Sequence, residues 1–240
     1  LGGIISFLGF TMPSVMALII FALFMEKFDV SHVGWIHGFK LVIVAVVAHA
    51  IFSMAKTLTP DVKRKMIALL ALVTTLLWQT TYAQITVIAV SAILGYLLYQ
   101  QHDTQVHTKI VVPISKRFAS ICLVLFVTLL MLLPVLRETT THSLLALFDS
   151  FYRAGSLVFG GGHVVLPLLE REVVPTGWIS EESFLAGYGA TQAVPGPLFT
   201  FAAYLGTVMS GWQGGLVATV AIFLPAFLLV YGTLPFWNTL

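Results

Sequence analysis

Phe148 to Tyr204 reads FDSFYRAGSLVFGGGHVVLPLLEREVVPTGWISEESFLAGYGATQAVPGPLFTFAAY, and it holds the residues best suited to chemistry. Two apolar segments in it are broken, one at Gly160, Gly161 and Gly162, the other at Pro195, Gly196 and Pro197. Proline removes a backbone donor and clashes with the preceding helical turn. Glycine permits non-helical angles and close approach. Where a half-helix restarts, its first amides lack internal partners and carry partial positive charge, so they can hold an anion. After Pro197 those donors are the amides of Leu198, Phe199 and Thr200, with the Thr200 hydroxyl beside them. The three glycines can form a concave nest of amides. Pro167 suits the first turn of the half-helix that follows. The plainer alternative is close helix packing at the glycines and simple kinks at the prolines.

Charged residues flank these breaks. Asp149 and Arg153 are four residues apart, so on a helix they share a face and can pair. Ionisable groups inside a span usually face a partner or a pathway, although both could instead snorkel from an interface. Lys40, one turn from His37, reads as a snorkelling cation. Glu170, Arg171 and Glu172, with Glu181 and Glu182, read as a solvated acidic loop. His163 could titrate beside the glycines, but a lone histidine is more often structural. Metalloprotease, hydrolase, nucleotide-loop and paired-cysteine metal signatures do not occur. No metal, cofactor or catalytic residue is therefore expected.

The elements that position these residues are apolar. The 240 residues are 58% hydrophobic and 9% charged, with a mean hydropathy of +0.98. A soluble domain of this size needs more charge. The apolar residues come in long runs, several reaching the 20 or so that a membrane span needs. The fold class is all-α, a polytopic transmembrane protein with internal repeats and Gly/Pro-broken helices. Spans are expected at 2–25, 33–52, 66–82, 85–99, 118–136 and 214–237, with a tight turn near Ala83 and Gln84. Broken segments are expected at 144–169 and 184–209. A net charge of +2 gives no reason to expect nucleic acid. Cys122, the single cysteine, reads as a buried apolar residue.

Basic residues cluster in two loops: Lys56, Lys63, Arg64 and Lys65, then Lys109, Lys116 and Arg117. The positive-inside rule makes both cytoplasmic. Lys27 and Arg137 then face outward. Residues 1–102 read as the end of one repeat half, 103–117 as a cytoplasmic linker and 118–240 as the start of a second half. Gly2, Gly3 and Pro13 recur at the same spacing as Gly214, Gly215 and Pro225. Three identities can arise by chance in apolar sequence, but a repeat of this kind suits secondary transporters, where halves are often inverted. Both ends lie in or beside apolar stretches, and the chain reads as a piece of a longer protein.

FGGGHVVLPLLEREVV with a following Trp, then QAVPGPLFTFAAYLG and GWQGGLVATVAIFLPAFLL, resembles the chromate ion transporter family. The resemblance is specific from about Phe148 onward and looser over 1–25, which looks like the matching segment of the other half. It implies a long, two-half member seen from late in one half to partway through the next. It also implies chromate efflux across the cytoplasmic membrane, driven by the proton-motive force or by exchange. Phe159, Gly160, Gly161, Gly162, Glu170, Gln192, Pro195, Gly196 and Pro197 carry over as family motif residues. With Thr200 and Arg153 added, all of these except Glu170 form the expected substrate site; Asp149, His163 and Glu170 are the expected coupling residues. A related anion such as sulfate, or a membrane-embedded enzyme or assembly subunit, is the alternative. The bilayer is the expected surrounding, and a homo-oligomer is compatible with it.

Overall fold

The computed structural model describes residues 2–28, 34–78, 81–99, 114–139, 143–158 and 162–239. Most of these residues are helical, with no strand among them. The nine helices are α1 (Gly2–Phe28), α2 (Gly34–Leu58), α3 (Val62–Leu77), α4 (Thr81–Leu98), α5 (Lys116–Thr139), α6 (Ser143–Leu157), α7 (Gly162–Val173), α8 (Glu181–Ala193) and α9 (Phe201–Thr233). The chain divides into two compact units, 1–44 with 109–240, and 45–108.

In the smaller unit α3 and α4 form a hairpin. Asp61 caps α3, its carboxylate accepting from the Arg64 amide at 2.8 Å. The Tyr99 hydroxyl donates to the same carboxylate at 2.7 Å, and the Arg64 guanidinium lies over the Tyr99 ring. The Arg64 amide, then the Tyr99 hydroxyl, hold the Asp61 carboxyl below its ordinary range. Ala83 and Gln84, expected at a tight turn, lie inside α4, since α3 ends at Leu77 and α4 begins at Thr81. The run Gln79–Thr80–Thr81 concentrates polarity there, while a single Gln84 does not stop a helix.

The larger unit carries the motifs. Among the described residues, three stretches have the length and composition to cross a membrane: 2–26, 116–139 and 198–237. The last is not one rod. Ser210 (φ −149°, ψ 29°) and Gly211 (φ 66°, ψ −169°) break α9 into arms of residues 201–209 and 212–233. A methyl group on Gly206 would strike the Gly214 carbonyl and the Ala218 side chain; one on Gly215 would strike the Thr207 hydroxyl. Residues 8 to 12 apart in sequence are therefore in contact, and the arms are antiparallel. Gly211 supplies the positive φ of this reversal. The second arm alone is about 33 Å long, enough to span.

The second arm is also the centre of the packing. α1 lies antiparallel to it: the Phe7 ring meets Phe223 and Phe227 at 4.9 and 4.8 Å between centroids, and Ile19 sits against Gly215. The two segments expected to be repeat equivalents, 2–25 and 214–237, thus pack against each other in opposite directions. α6 crosses the arm so closely that a methyl on Gly155 would meet the Ile222 carbonyl. α5 reaches it through Leu123 against Gly232 and Phe118 beside Tyr231. Small residues let helix backbones approach where the hydrophobic effect gives no driving force.

Candidate functional site

Two short helical hairpins hang on this frame. α6 has 15 residues and α7 has 12, so neither reaches much beyond about 22 Å, less than the hydrocarbon thickness. They run antiparallel, since Ser150 and Arg153 both meet Glu172. The second hairpin pairs α8 with the first arm of α9: Tyr204 donates to the Ser183 carbonyl at 2.9 Å, and its ring fills the space beside Gly187. The Pro195–Gly196–Pro197 break therefore forms the tip of the second hairpin.

Phe159, Gly160 and Gly161, expected at the first break, lie outside the described residues. Gly162 and His163 are the first two residues of α7. The half-helix thus restarts five residues before Pro167, which lies inside it and not in its first turn. Glycine at the restart leaves the amides of the first turn uncapped by any side chain of its own.

The second tip is described fully. After α8, Val194 is extended and Pro197 caps a short 3-10 turn, Leu198–Thr200. The Thr200 amide donates to the Pro197 carbonyl at 2.9 Å and its hydroxyl donates there at 2.8 Å. Thr200 therefore spends on its own turn the donors expected for an anion. Leu198 and Phe199 keep the amides that begin the turn. Gly196 is pressed on α1, where a methyl would meet the Ser14 hydroxyl, and Ser14 donates to the Pro195 carbonyl at 2.5 Å. Gln192, on α8 just before the tip, and Tyr188 one turn earlier have buried polar ends that meet each other. The Leu198–Thr200 turn packs against α7, the helix that Gly162 begins.

Asp149 and Arg153 do pair, at 3.1 Å, within a larger cluster. Arg137 of α5 lies 3.3 Å from Asp149 and donates to Ser150 at 3.1 Å. Arg153 also lies 3.3 Å from Glu172 of α7. The Asp149 side chain is fully buried, and its second carboxylate oxygen has no partner. The Arg137 guanidinium also covers the Trp178 ring. Two cations meet two anions here, so the charge of Arg153 is compensated by Asp149 and Glu172.

Glu172 is the residue that sequence reasoning missed. Glu170 and Arg171 are exposed as expected, but Glu172 is half-buried. Its place was legible: Val165, Leu168 and Leu169 form the buried stripe of α7, and Glu172 follows at the i+7, i+4 and i+3 positions. Arg137, expected as an external interface charge, is likewise a member of the cluster.

The chromate transporter family model matches residues 1–96 and 145–240. An uncharacterized transporter of Methanocaldococcus jannaschii is 22% identical over all of this chain and 60% of its own length. The chromate transport protein of Pseudomonas aeruginosa is 39% identical over 35% of this chain and 20% of its own. A probable chromate transport protein of Synechococcus elongatus is 33% identical over 42% of this chain and 26% of its own. The chain thus spans about 60% of the first relative, and its matches cover a fifth to a quarter of the other two. No solved structure matches it. Twofold coverage by a family of transport proteins, joined to several apolar helices, makes this a multi-pass membrane protein of that kind. The chain belongs to the chromate transporter family.

Proposed function

We propose that the whole protein is a secondary transporter that exports an oxyanion, chromate first, across the cytoplasmic membrane. The observation that carries this reading is the approach of the two hairpins: the turn after Pro197 lies against the helix that begins at Gly162. Amides from both breaks can then surround one ion. A doubly charged oxyanion must shed water, and the protein must replace those hydrogen bonds without holding the ion too tightly. Backbone amides at half-helix starts offer several donors with partial charge.

In this reading Phe159 to Gly162 and Gln192 to Pro197 line the anion path, with the Leu198 and Phe199 amides as donors. Thr200 shapes the turn, and Arg153 sets the hairpin geometry. Asp149 is the better coupling candidate than Glu170, because Asp149 is buried with one unpartnered oxygen while Glu170 is exposed. The test is flux of labelled chromate and sulfate into inside-out vesicles holding the full-length protein. Chromate uptake that rises with an imposed potential or proton gradient is expected. Flux equal to that of protein-free vesicles for both ions would overturn the reading.

A further inference from the structure

Thr11 of α1 is fully buried, and its hydroxyl has no partner. Buried threonines elsewhere in the larger unit satisfy themselves. Thr191, Thr207 and Thr219 each donate to the carbonyl four residues back, at 2.6 to 2.8 Å. Thr11 makes no such bond. An unpartnered buried hydroxyl is costly, so a helix that keeps one has left a donor open to something else.

Its position is fixed from both sides. Thr11, Ser14, Val15, Leu18 and Ala22 form one buried stripe on α1. One turn beyond Thr11, Ser14 holds the Pro195 carbonyl and abuts Gly196. One turn before it, Phe7 packs on Phe223, whose ring lies 5.8 Å from that of Phe199. Thr11 lies between these two contacts, on the same buried stripe of α1. From α8, Gln192, three residues before Pro195, and Tyr188 one turn earlier bring their buried polar ends to each other. The repeat spacing places Phe223 and Ala226 where α1 has Thr11 and Ser14, so hydroxyls occur on one side only.

We propose that the Thr11 hydroxyl is a direct ligand of a tetrahedral oxyanion at the Pro195–Gly196–Pro197 break, with Ser14 as the positioning residue that docks the break on α1. This rests on the oxyanion-transport reading and extends it. The binding site is then shared between the two matched regions, 1–96 and 145–240. A hydroxyl suits the task because an oxyanion offers only acceptors, and a neutral donor binds it without the grip of a full charge.

The experiment is concentration-dependent chromate flux by the full-length protein in vesicles, with Thr11→Val, Thr11→Ser and Ser14→Ala compared at equal protein level. Thr11→Val keeps the volume and loses the donor. The expected result is a KM raised about tenfold or more, the size of one lost hydrogen bond to a charged group, with little change in maximal rate. Thr11→Ser should stay within about twofold of the parent. Ser14→Ala should lower the maximal rate more than it raises KM. Should Thr11→Val fail to accumulate, Thr11→Ala gives the same comparison. An unchanged KM in Thr11→Val or Thr11→Ala, with the parent transporting, overturns this inference and leaves the transport reading standing. A parent that moves no oxyanion overturns both.

Discussion

Gly206 and Gly214 lie backbone against backbone, each occupying the space where a side chain on the other would meet its carbonyl oxygen. This contact is what lets α9 fold back at Ser210–Gly211 and leave its second arm free to take α1, α5 and α6. Gly206→Val should therefore cost about 3 kcal/mol, the upper end for overpacking, because a carbonyl cannot move aside as a side chain can. Gly3→Ala, at a glycine with open space around it, should change little. Gly211→Ala should cost roughly 1–3 kcal/mol, because φ 66° with ψ −169° is a region that essentially only glycine enters. Thermal unfolding of the detergent-purified protein checks all three. Equal midpoints for Gly206→Val and Gly3→Ala would contradict the folded-back arms.

The charge cluster should behave as a unit. Asp149→Asn leaves two arginines facing one carboxylate, and should cost about 3 kcal/mol, the low end for breaking a buried pair, since Arg137 and Arg153 keep 30% and 32% exposure. Asp149→Asn with Arg153→Gln should recover part of that loss. A double-mutant cycle on unfolding midpoints reads the coupling; strictly additive losses would show that the groups do not act together.

Membrane orientation follows from the basic loops. With Cys122 replaced by Ser, cysteines at Lys63 and Lys116 should label only from the cytoplasmic side. A cysteine at Lys27 should label from outside. Glu138 is a better external reporter than Arg137, because it is exposed while Arg137 is tied to Asp149. External labelling at both Lys63 and Lys116 would reverse the assignment.

Gly161→Val should abolish chromate flux while leaving insertion intact, since a β-branched side chain closes a nest of amides. Arg153→Lys should keep partial function if Arg153 only holds Asp149 and Glu172 together, and Arg153→Gln should reduce protein level as well as flux. Normal transport by Gly161→Val removes the first hairpin tip from the anion path.

Sequence alone reached the breaks because glycine and proline act locally: a triple glycine or a Pro-Gly-Pro interrupts a helix whatever surrounds it. The Asp149–Arg153 pair was legible for the same reason, being set by helical spacing. The rest depended on distance. Ser14 meets Pro195 across 181 residues, and nothing near Thr11 in the chain says that its hydroxyl will be left open. Glu172 lay between: its stripe on α7 could be counted, but its neighbours Glu170 and Arg171 made the run look uniformly solvated. Pro167 does not mark a helix start, because α7 already begins at Gly162 and carries the proline in its interior.

The shortness of α6, α7, α8 and the first arm has an electrical meaning in the transport reading. Hairpins that stop partway leave aqueous vestibules, and a membrane voltage falls almost entirely across the thin dry layer between such vestibules. An ion at the tips would sense most of the potential within a few ångströms of travel. For a dianion that is about 4.6 kcal/mol per 100 mV, and in a cell held negative inside the field pushes the ion outward. Brief partial openings at the tips would then gate a steep electrical slope, and the rate of export should follow voltage more closely than it follows any change in affinity.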